Sequence, residues 1–181
     1  MKTLPPRVVL IGAPASGKSK IAKLVAAQLG CTRIDTDKVI VAEHGEVVDI
    51  FAQHGEPVFR AWEREAVQRA LTQDAVVSLG GGAVVDADTQ NDLAHAHCVL
   101  LTVSEDVVAL RLADSSKRPL LKDGVNAWVA LVEKREPIYR ALADLTFDTS
   151  HRPLEDIASD ICQWIEAGYP EDSGKKREIR S

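Results

Sequence analysis

An eight-residue segment near the start of the chain restricts the possible folds more than any other feature. It reads GAPASGKS from Gly12 to Ser19 and follows a short apolar run, VVLI. Its last two residues begin an amphipathic stretch. The segment fits the pattern G-x-x-x-x-G-K-[S/T], in which a loop between a strand and a helix wraps backbone N–H groups around phosphates. The sequence therefore predicts a nucleoside triphosphate site on a strand–loop–helix unit.

The residue types within this loop have distinct chemical uses. Glycine allows backbone conformations and close approaches that a Cβ would prevent, and the following helix directs the positive end of its dipole at the phosphates. Lys18 is predicted to reach the β- and γ-phosphates of ATP, and the Ser19 hydroxyl is placed to hold Mg²⁺. The residues predicted to contact the nucleotide here are Pro14, Ala15, Ser16, Gly17, Lys18 and Ser19.

The rest of the chain alternates short apolar runs with amphipathic stretches, which is typical of βαβ units around a parallel sheet. Strands are predicted at residues 7–12, 32–36, 75–79, 98–103 and 142–148. Helices are predicted at residues 18–29, 47–54, 57–72, 87–96, 105–112, 126–141 and 154–167. The expected fold is of the α/β class, a three-layer P-loop NTPase with a five-stranded parallel sheet flanked by helices.

Composition excludes several classes of protein. The chain has 181 residues, of which 45% are hydrophobic and 27% charged, and this suits one domain with its own core. The formal net charge of −5 argues against a general nucleic-acid binder. No apolar run approaches the roughly 20 residues that cross a bilayer, and three widely spaced cysteines suit a reducing compartment. We therefore expect a cytoplasmic monomer that binds neither nucleic acid nor membrane.

Two segments depart from the alternation of strands and helices. The loop at residues 112–124 is rich in serine, proline and charge, and long loops of this kind are often lids over a functional site. Residues 169–181 are polar and lack helical periodicity, which predicts a flexible tail. We therefore expect a single domain over residues 1–168, with the lid inside it and the tail after it.

Two carboxylates follow the second predicted strand. Asp35 and Asp37 are two residues apart, which would put both side chains on one face of an extended segment. Ligands of open parallel sheets collect at the carboxyl ends of the strands, so both side chains should lie near the phosphate loop. One could hold Mg²⁺ through water while the other accepts a proton from an acceptor hydroxyl. The alternative is a capping pair for the next helix.

Glycines and arginines mark the remainder of the expected site. The third predicted strand runs directly into Gly80, Gly81 and Gly82. A triple glycine there indicates close approach of the backbone to a ligand, with a plain tight turn as the alternative. Arginine suits bidentate capture of carboxylate or phosphate, although a single arginine is more often a solvated surface charge. As a set, three of them indicate an acceptor with an anionic group: Arg60, Arg118 and Arg135.

An ordered series of segments carries a more specific signal than the phosphate loop alone. In the order GAPASGKS, DTD, DIF, FR, LGGG, RPLL and KREPIYR, the chain resembles the shikimate kinase family from about residue 8 to about residue 165. The resemblance implies a nucleoside-monophosphate-kinase-like fold with an acceptor-binding part at about residues 38–72. It also implies Mg²⁺-dependent transfer of the γ-phosphoryl group of ATP to the 3-hydroxyl of shikimate, a step toward chorismate and the aromatic amino acids.

The same resemblance implies roles on the acceptor side. Arg60 and Arg135 match two arginines that hold the carboxylate of the acceptor. Asp37 matches an aspartate that binds ring hydroxyls and is the candidate base, and Gly81 matches a glycine that binds them with it. Glu63 matches an acid that orients an acceptor-binding arginine.

On the nucleotide side, the resemblance assigns Ser19 and Asp35 to the magnesium ion. Arg118 matches a lid arginine that reaches the phosphates, and the adenine side would be contacted by Arg111 and Arg152. The expected catalytic residues are Asp37, Lys18 and Arg118. One departure from the family pattern is Ala15, which occupies a loop position that is often glycine.

Two other functions stay open at this point. A gluconate kinase would also need arginines for a carboxylate, although the DTD and GGG segments together favour shikimate. A nucleotide-binding regulatory protein without transfer activity is the second alternative. The joint presence of four residues argues against it: Lys18, Ser19, Asp35 and Asp37. ATP and shikimate are therefore the expected small-molecule partners.

Overall fold

The strands and helices alternate along the chain, as the sequence predicts. The computed structural model describes residues 5–113 and 124–170. The strands are β1 (Val8–Ile11), β2 (Thr32–Asp35), β3 (Ala75–Ser78), β4 (Cys98–Thr102) and β5 (Leu145–Asp148). The helices are α1 (Lys18–Leu29), α2 (Thr36–His44), α3 (Val47–His54), α4 (Glu56–Ala70), α5 (Ala87–Leu93), α6 (Glu105–Ala113), α7 (Gly124–Leu142) and α8 (Leu154–Glu166), with a 3₁₀ turn at Ala83–Val85.

The five strands form one parallel sheet in the order β2-β3-β1-β4-β5. The register pairs Leu10 of β1 with Ser78 on one side and Val99 on the other, so β1 is central. Because the strand order reverses around β1, a crevice forms beyond its carboxyl end, which is where such sheets bind ligands. The predicted five-stranded parallel sheet of the α/β class is confirmed.

Helices pack on both faces of the sheet through apolar side chains, so the fold has three layers of helices, sheet and helices. On one face, Ile21 of α1 and Ile157 of α8 pack in a cluster with Leu10. On the other face, helices α4, α5 and α7 pack in a cluster with Val9 and Leu100. Strands β1 and β3 are buried at every position, which explains why their sequences are continuously apolar or nearly so.

Helices α2, α3 and α4 form a smaller unit with its own apolar cluster. That cluster contains Ile40, Ile50, Phe59 and Ala66. The unit covers residues 36–70, so apart from the first residues of α2 it lies within the segment of about 38–72 that the resemblance assigns to acceptor binding. It therefore begins at the carboxyl end of β2, next to the crevice.

Helix α2 and strand β5 differ from the sequence-based prediction, and several other ends, such as that of α5 at Leu93 instead of residue 96, differ by one to three residues. Helix α2 was not predicted, because only Thr36 and Ile40 of its nine residues are buried and no apolar stripe marks it. Strand β5 begins at Leu145, three residues later than predicted, because α7 continues to Leu142. Both differences arise where the apolar pattern is short and the neighbouring element decides the boundary.

Some predicted features lie outside the described residues. They are most of the lid at 112–124, including Arg118, and residues 171–181 of the predicted tail. Within the described parts of the chain, no helix combines the length and the apolar character needed to cross a membrane.

Candidate active site

The phosphate loop runs from Gly12 to Ser19 and connects β1 with α1. Gly12 and Gly17 have φ angles of 142° and 87°, which residues with a side chain rarely adopt. Lys18 is buried, and its Nζ donates hydrogen bonds of 2.8 Å to the carbonyl oxygens of Gly12 and Ala13. The charge of the lysine therefore lies over the loop at the N-terminus of α1, where anions bind favourably.

Arg111 and Thr149 hold the middle of this loop. Arg111 Nη1 donates to the carbonyl oxygen of Ala15 at 2.7 Å, and its Nη2 donates to that of Thr149 at 2.9 Å. The Thr149 hydroxyl lies 3.0 Å from the carbonyl oxygen of Ser16. The structure thus places Arg111, a predicted nucleotide residue, against the phosphate loop, where its guanidinium supports the backbone.

Ala15 is a strained residue of the loop. Its φ of 67° lies in the left-handed region, which costs a residue with a Cβ about 1–2 kcal/mol. We expect Ala15→Gly to raise the melting temperature by about 2 °C, because relief of strain outweighs the extra chain entropy of glycine. Scanning calorimetry of the purified protein measures this shift.

A matched control for this prediction is Ala27→Gly. Ala27 is exposed inside α1, where glycine weakens the helix, so this variant should melt at a lower temperature. A decrease for Ala15→Gly as well would contradict the assignment of strain to Ala15.

Asp35 ends β2 and is also the N-cap of α2. Its Oδ2 accepts a 2.6 Å hydrogen bond from the Ser19 hydroxyl, and its Oδ1 accepts one of 3.3 Å from the backbone N–H of Lys38. Asp35 therefore binds Ser19 and also caps α2, so the two interpretations do not exclude each other at this residue.

The oxygens of Ser19 and Asp35 are the kind of ligand that Mg²⁺ prefers. Among the described residues, no group of three or more histidine, cysteine, aspartate and glutamate side chains is arranged to hold a metal ion. A magnesium ion that shares its coordination with nucleotide phosphates and water needs only one or two protein oxygens. The Ser19–Asp35 pair therefore fits such an ion.

Asp37 does not share an extended face with Asp35, so this prediction was wrong. The strand ends at Asp35 and the helix begins at Thr36, which places Asp37 in the first turn of α2. The change from strand to helix between them replaces a period of two with a period of 3.6, and the carboxylates have different neighbours. Asp35 contacts Ser19, whereas Asp37 Oδ1 lies beside Gly80.

Gly80 leaves room for two carboxylates. A Cβ at this position would stand 2.5 Å from Asp37 Oδ1 and 2.7 Å from Glu63 Oε1. Its φ is not in the left-handed region, so space and not backbone conformation requires glycine here. The backbone of Gly80 is approached closely by two side chains of the chain itself, and the predicted approach to a ligand stays a prediction.

The other two glycines of the segment have different neighbours. A Cβ on Gly81 would stand 3.0 Å from Pro14 Cδ, so the segment packs directly against the phosphate loop. A Cβ on Gly82 would overlap the guanidinium of Arg60. The triple glycine forms a tight turn, in which the Ala83 N–H donates to the carbonyl oxygen of Gly80 at 3.1 Å, and each of its glycines also makes a close contact with another part of the site.

Glu63 is a buried acid next to the candidate arginines. The residue is 3% exposed, and its Oε2 accepts a 2.5 Å hydrogen bond from Arg60 Nη1. Burial raises the pKa of Glu63, although the charges of Arg60 and Arg135 act to lower it. Glu56 accepts a 3.1 Å hydrogen bond from Arg60 Nη2, so two carboxylates fix this guanidinium. Of the two arginines predicted to hold one acceptor, Arg60 binds this buried carboxyl group directly, and Arg135 is near enough for its charge to act on it.

Two residues predicted on the nucleotide side, Arg152 and Arg118, stay predictions. The structure pairs the exposed Arg152 with Asp160, at 2.7 Å, in the described part of the chain. Arg118 lies outside the described residues.

Three side chains that bind backbone carbonyls of the site were not predicted from the sequence. Trp128 donates to Pro14 and Tyr139 to Gly81, while Thr149 holds the phosphate loop as described. These contacts join residues that are far apart in sequence, and no motif encodes such pairs. Trp128 and Tyr139 lie at helical spacing from Arg135, and this pattern could have identified both of them from the sequence.

The fold and the site together define a class of protein. A phosphate loop follows the central strand of a parallel sheet and contacts a glycine segment lined by carboxylates and arginines. This arrangement is that of a P-loop kinase acting on a small molecule. The shikimate kinase family model matches residues 14–166, and the chain belongs to that family.

Similar proteins agree with this membership. A shikimate kinase of Streptomyces avermitilis is 42% identical over 166 residues, which cover 89% of this chain and 96% of the relative. A shikimate kinase of Acinetobacter baumannii, solved in complex with shikimate, has a TM-score of 0.85 at 28% identity, over 92% of this chain and 96% of that one. A gluconokinase of Sinorhizobium meliloti has a TM-score of 0.62 at 16% identity over 92% and 95% of the two chains, which is a likeness of fold alone.

Proposed function

We propose that the chain transfers the γ-phosphoryl group of ATP to the 3-hydroxyl of shikimate and produces shikimate 3-phosphate. The observation that carries the proposal is the direct contact between the nucleotide loop and the acceptor residues. Gly81 packs on Pro14, while its neighbours Gly80 and Gly82 face Asp37 and Arg60. An acceptor at this glycine segment would therefore lie next to the phosphates.

The acceptor side suits a molecule with one carboxylate and several hydroxyls. Arg60 and Arg135 supply two guanidinium groups, which bind carboxylates through charge-assisted hydrogen bonds. Glu63 and Glu56 hold Arg60 in place, so little side-chain entropy is lost when the acceptor binds. Asp37, exposed in the first turn of α2, would orient the hydroxyl and accept its proton.

The nucleotide side supplies positive charge for the transferred group. Phosphoryl transfer asks the protein mainly for positioning and charge stabilisation. Lys18, at the start of α1, would bind the β- and γ-phosphates together with backbone N–H groups of the loop and, in this proposal, Arg118. Ser19 and Asp35 would hold Mg²⁺, which neutralises phosphate charge when it is bound.

The proposal includes the organisation of the chain. One kinase domain covers residues 1–168, with a lid at 112–124 and a tail at 169–181. The described core clusters join helices on both faces of one sheet, which supports a single domain. The three cysteines are free, as a reducing cytoplasm allows, and we propose a cytoplasmic monomer.

An assay of ADP release tests the function directly. The purified protein is given Mg-ATP with shikimate, with gluconate, or with no acceptor. We expect turnover with shikimate alone. Turnover with gluconate would overturn the acceptor but keep the kinase class, and nucleotide binding without turnover in any arm would favour a regulatory role.

Arg135 gives a prediction for acceptor binding. We expect Arg135→Ala to raise the KM for shikimate by about 10- to 150-fold, because a hydrogen bond to a charged group contributes about 1.5–3 kcal/mol. The KM for ATP should change little. Steady-state kinetics with each substrate varied in turn measures both constants.

Arg140→Ala is the matched control for Arg135→Ala. Arg140 lies on the same helix but is exposed and bonded to Glu136, so its loss should leave both KM values unchanged. An unaltered KM for shikimate in Arg135→Ala would contradict the role of Arg135.

A further inference from the structure

One face of helix α7 is directed at both halves of the site. Trp128, Arg135 and Tyr139 are seven and four residues apart, a spacing that puts side chains on the same face of an α-helix. Trp128 and Tyr139 are 4% and 2% exposed, so this face is packed into the protein. At about 1.5 Å per residue, the two aromatic residues are about 16 Å apart along the helix.

Each aromatic residue binds one of the two loops on which the substrates would lie. The Trp128 indole N–H donates to the carbonyl oxygen of Pro14 in the nucleotide loop, at 2.8 Å. The Tyr139 hydroxyl donates to the carbonyl oxygen of Gly81 in the glycine segment, at 2.5 Å. Both bonds join a buried ring to the backbone in a partly buried environment, where hydrogen bonds are stronger than in open water. The two loops are therefore tied to one helix.

The two loops also contact each other. A Cβ on Gly81 would stand 3.0 Å from Pro14 Cδ and 3.2 Å from Pro14 N. The contacts from α7 through Pro14 and Gly81 back to α7 therefore form a closed ring. Neither loop can shift along the helix without losing a hydrogen bond or the contact with the other loop.

The Tyr139 hydroxyl has Arg135 as a second partner. Burial raises the pKa of Tyr139 to about 12, although the nearby Arg135 guanidinium lowers it through its charge and a hydrogen bond. The hydroxyl therefore keeps its proton at neutral pH and can donate to Gly81 while it accepts from Arg135.

We propose that Trp128 and Tyr139 are positioning residues that set the distance between the γ-phosphate of ATP and the hydroxyl of the acceptor. The inference rests on the proposed function and adds the common support for the two substrate loops. Phosphoryl transfer needs both reacting groups in line, and a displacement of about 1 Å can cost about 100-fold in rate. Neither aromatic side chain has to touch a substrate to act in this way.

The test uses Trp128→Phe, Tyr139→Phe and the double variant. Each substitution keeps an aromatic ring and removes one hydrogen-bonding group. The controls are Trp164→Phe and Tyr169→Phe, which remove an indole or hydroxyl bond to a backbone carbonyl at the other end of the sheet. We would measure kcat, both KM values, and the melting temperature of every protein.

We expect kcat to fall about tenfold in each site variant, and to fall more than either KM rises. The double variant should lose less than the product of the two single losses, because both bonds hold the same junction. The controls should keep the wild-type kcat. Melting temperatures should fall by about 2–4 °C in site and control variants alike, so loss of stability cannot explain the difference in kcat.

Three results would overturn the inference. The first is an unchanged kcat in both site variants. The second is a Tyr139→Phe variant that raises only the KM for shikimate, which would reduce Tyr139 to a support for Arg135. The third is a double variant whose loss equals the product of the single losses. A wild-type protein that does not phosphorylate shikimate would instead overturn the proposed function, and the wild-type assay reports this before any variant is made.

Discussion

The Asp37→Asn variant should lose about 10²- to 10⁴-fold in kcat and still bind ATP, because asparagine cannot accept the proton of the acceptor hydroxyl. Asparagine keeps the size of the side chain and much of its hydrogen bonding. The loss should therefore appear in kcat more than in the KM for shikimate. Steady-state kinetics and calorimetric titration with a non-hydrolysable ATP analogue measure the two effects.

The position of Asp37 suits its carboxylate to this role. It lies in the first turn of α2, where the helix dipole favours a negative charge. It is exposed, whereas the neighbouring Glu63 is buried and bonded to Arg60. Of these two carboxyl groups, Asp37 is the one that an acceptor can reach.

Asp88→Asn is the matched control for this prediction. Asp88 is an exposed residue in the first turn of α5, outside the acceptor-binding part, and its substitution should leave kcat unchanged. Near-wild-type turnover in Asp37→Asn would remove Asp37 from the mechanism without affecting the nucleotide site.

The Gly80→Ala variant should lose about 100-fold in kcat/KM for shikimate, because the added methyl group displaces groups that must be placed to within about 1 Å. The new Cβ would stand 2.5 Å from Asp37 Oδ1 and 2.7 Å from Glu63 Oε1. The exposed Asp37 can move away, whereas the buried Glu63 is held by Arg60 and cannot do so freely. The substitution therefore disturbs both Asp37, the candidate base, and Glu63, which holds Arg60 in place.

Gly30→Ala separates this effect from backbone strain. Gly30 has a φ of 61°, and a Cβ there meets no atom within 4 Å. Alanine at this position should lower the melting temperature, because the left-handed conformation costs about 1–2 kcal/mol. It should leave kcat/KM for shikimate unchanged. Equal loss of activity in the two variants would show that Gly80→Ala acts through stability and not through its carboxylate neighbours.

Much of the fold could be predicted because burial leaves a local pattern. Strands β1 and β3 are buried on both faces, so their residues form apolar runs that can be read without the structure. Helices α1 and α3 begin and end where their amphipathic stretches do. Helix α2 could not be found in this way, since it buries only Thr36 and Ile40 and its N-cap, Asp35, is also the last residue of β2.

The phosphate site is determined by the sequence alone, because a loop that wraps phosphates uses neighbouring residues. Gly12 and Gly17 act through their backbone conformation and Lys18 and Ser19 through side chains of the same loop, so their spacing along the chain is their signal. The meeting of Asp37, Glu63, Arg60 and Gly80 is different. The packing of α2 and α4 beside the end of β3 brings those residues together. Their positions in the sequence marked Asp37, Arg60 and Gly80 as candidates, but Glu63 was indicated only by the resemblance to a family.

Only the tertiary structure decided how the two halves of the site are joined. The bonds from Trp128 to Pro14 and from Tyr139 to Gly81 connect residues 114 and 58 positions apart. A hydrogen bond depends on the distance between two atoms in space, and the separation of two residues along the chain does not fix that distance. The sequence therefore determined which loop binds phosphate, and the packing of α7 determined where that loop lies relative to the acceptor residues.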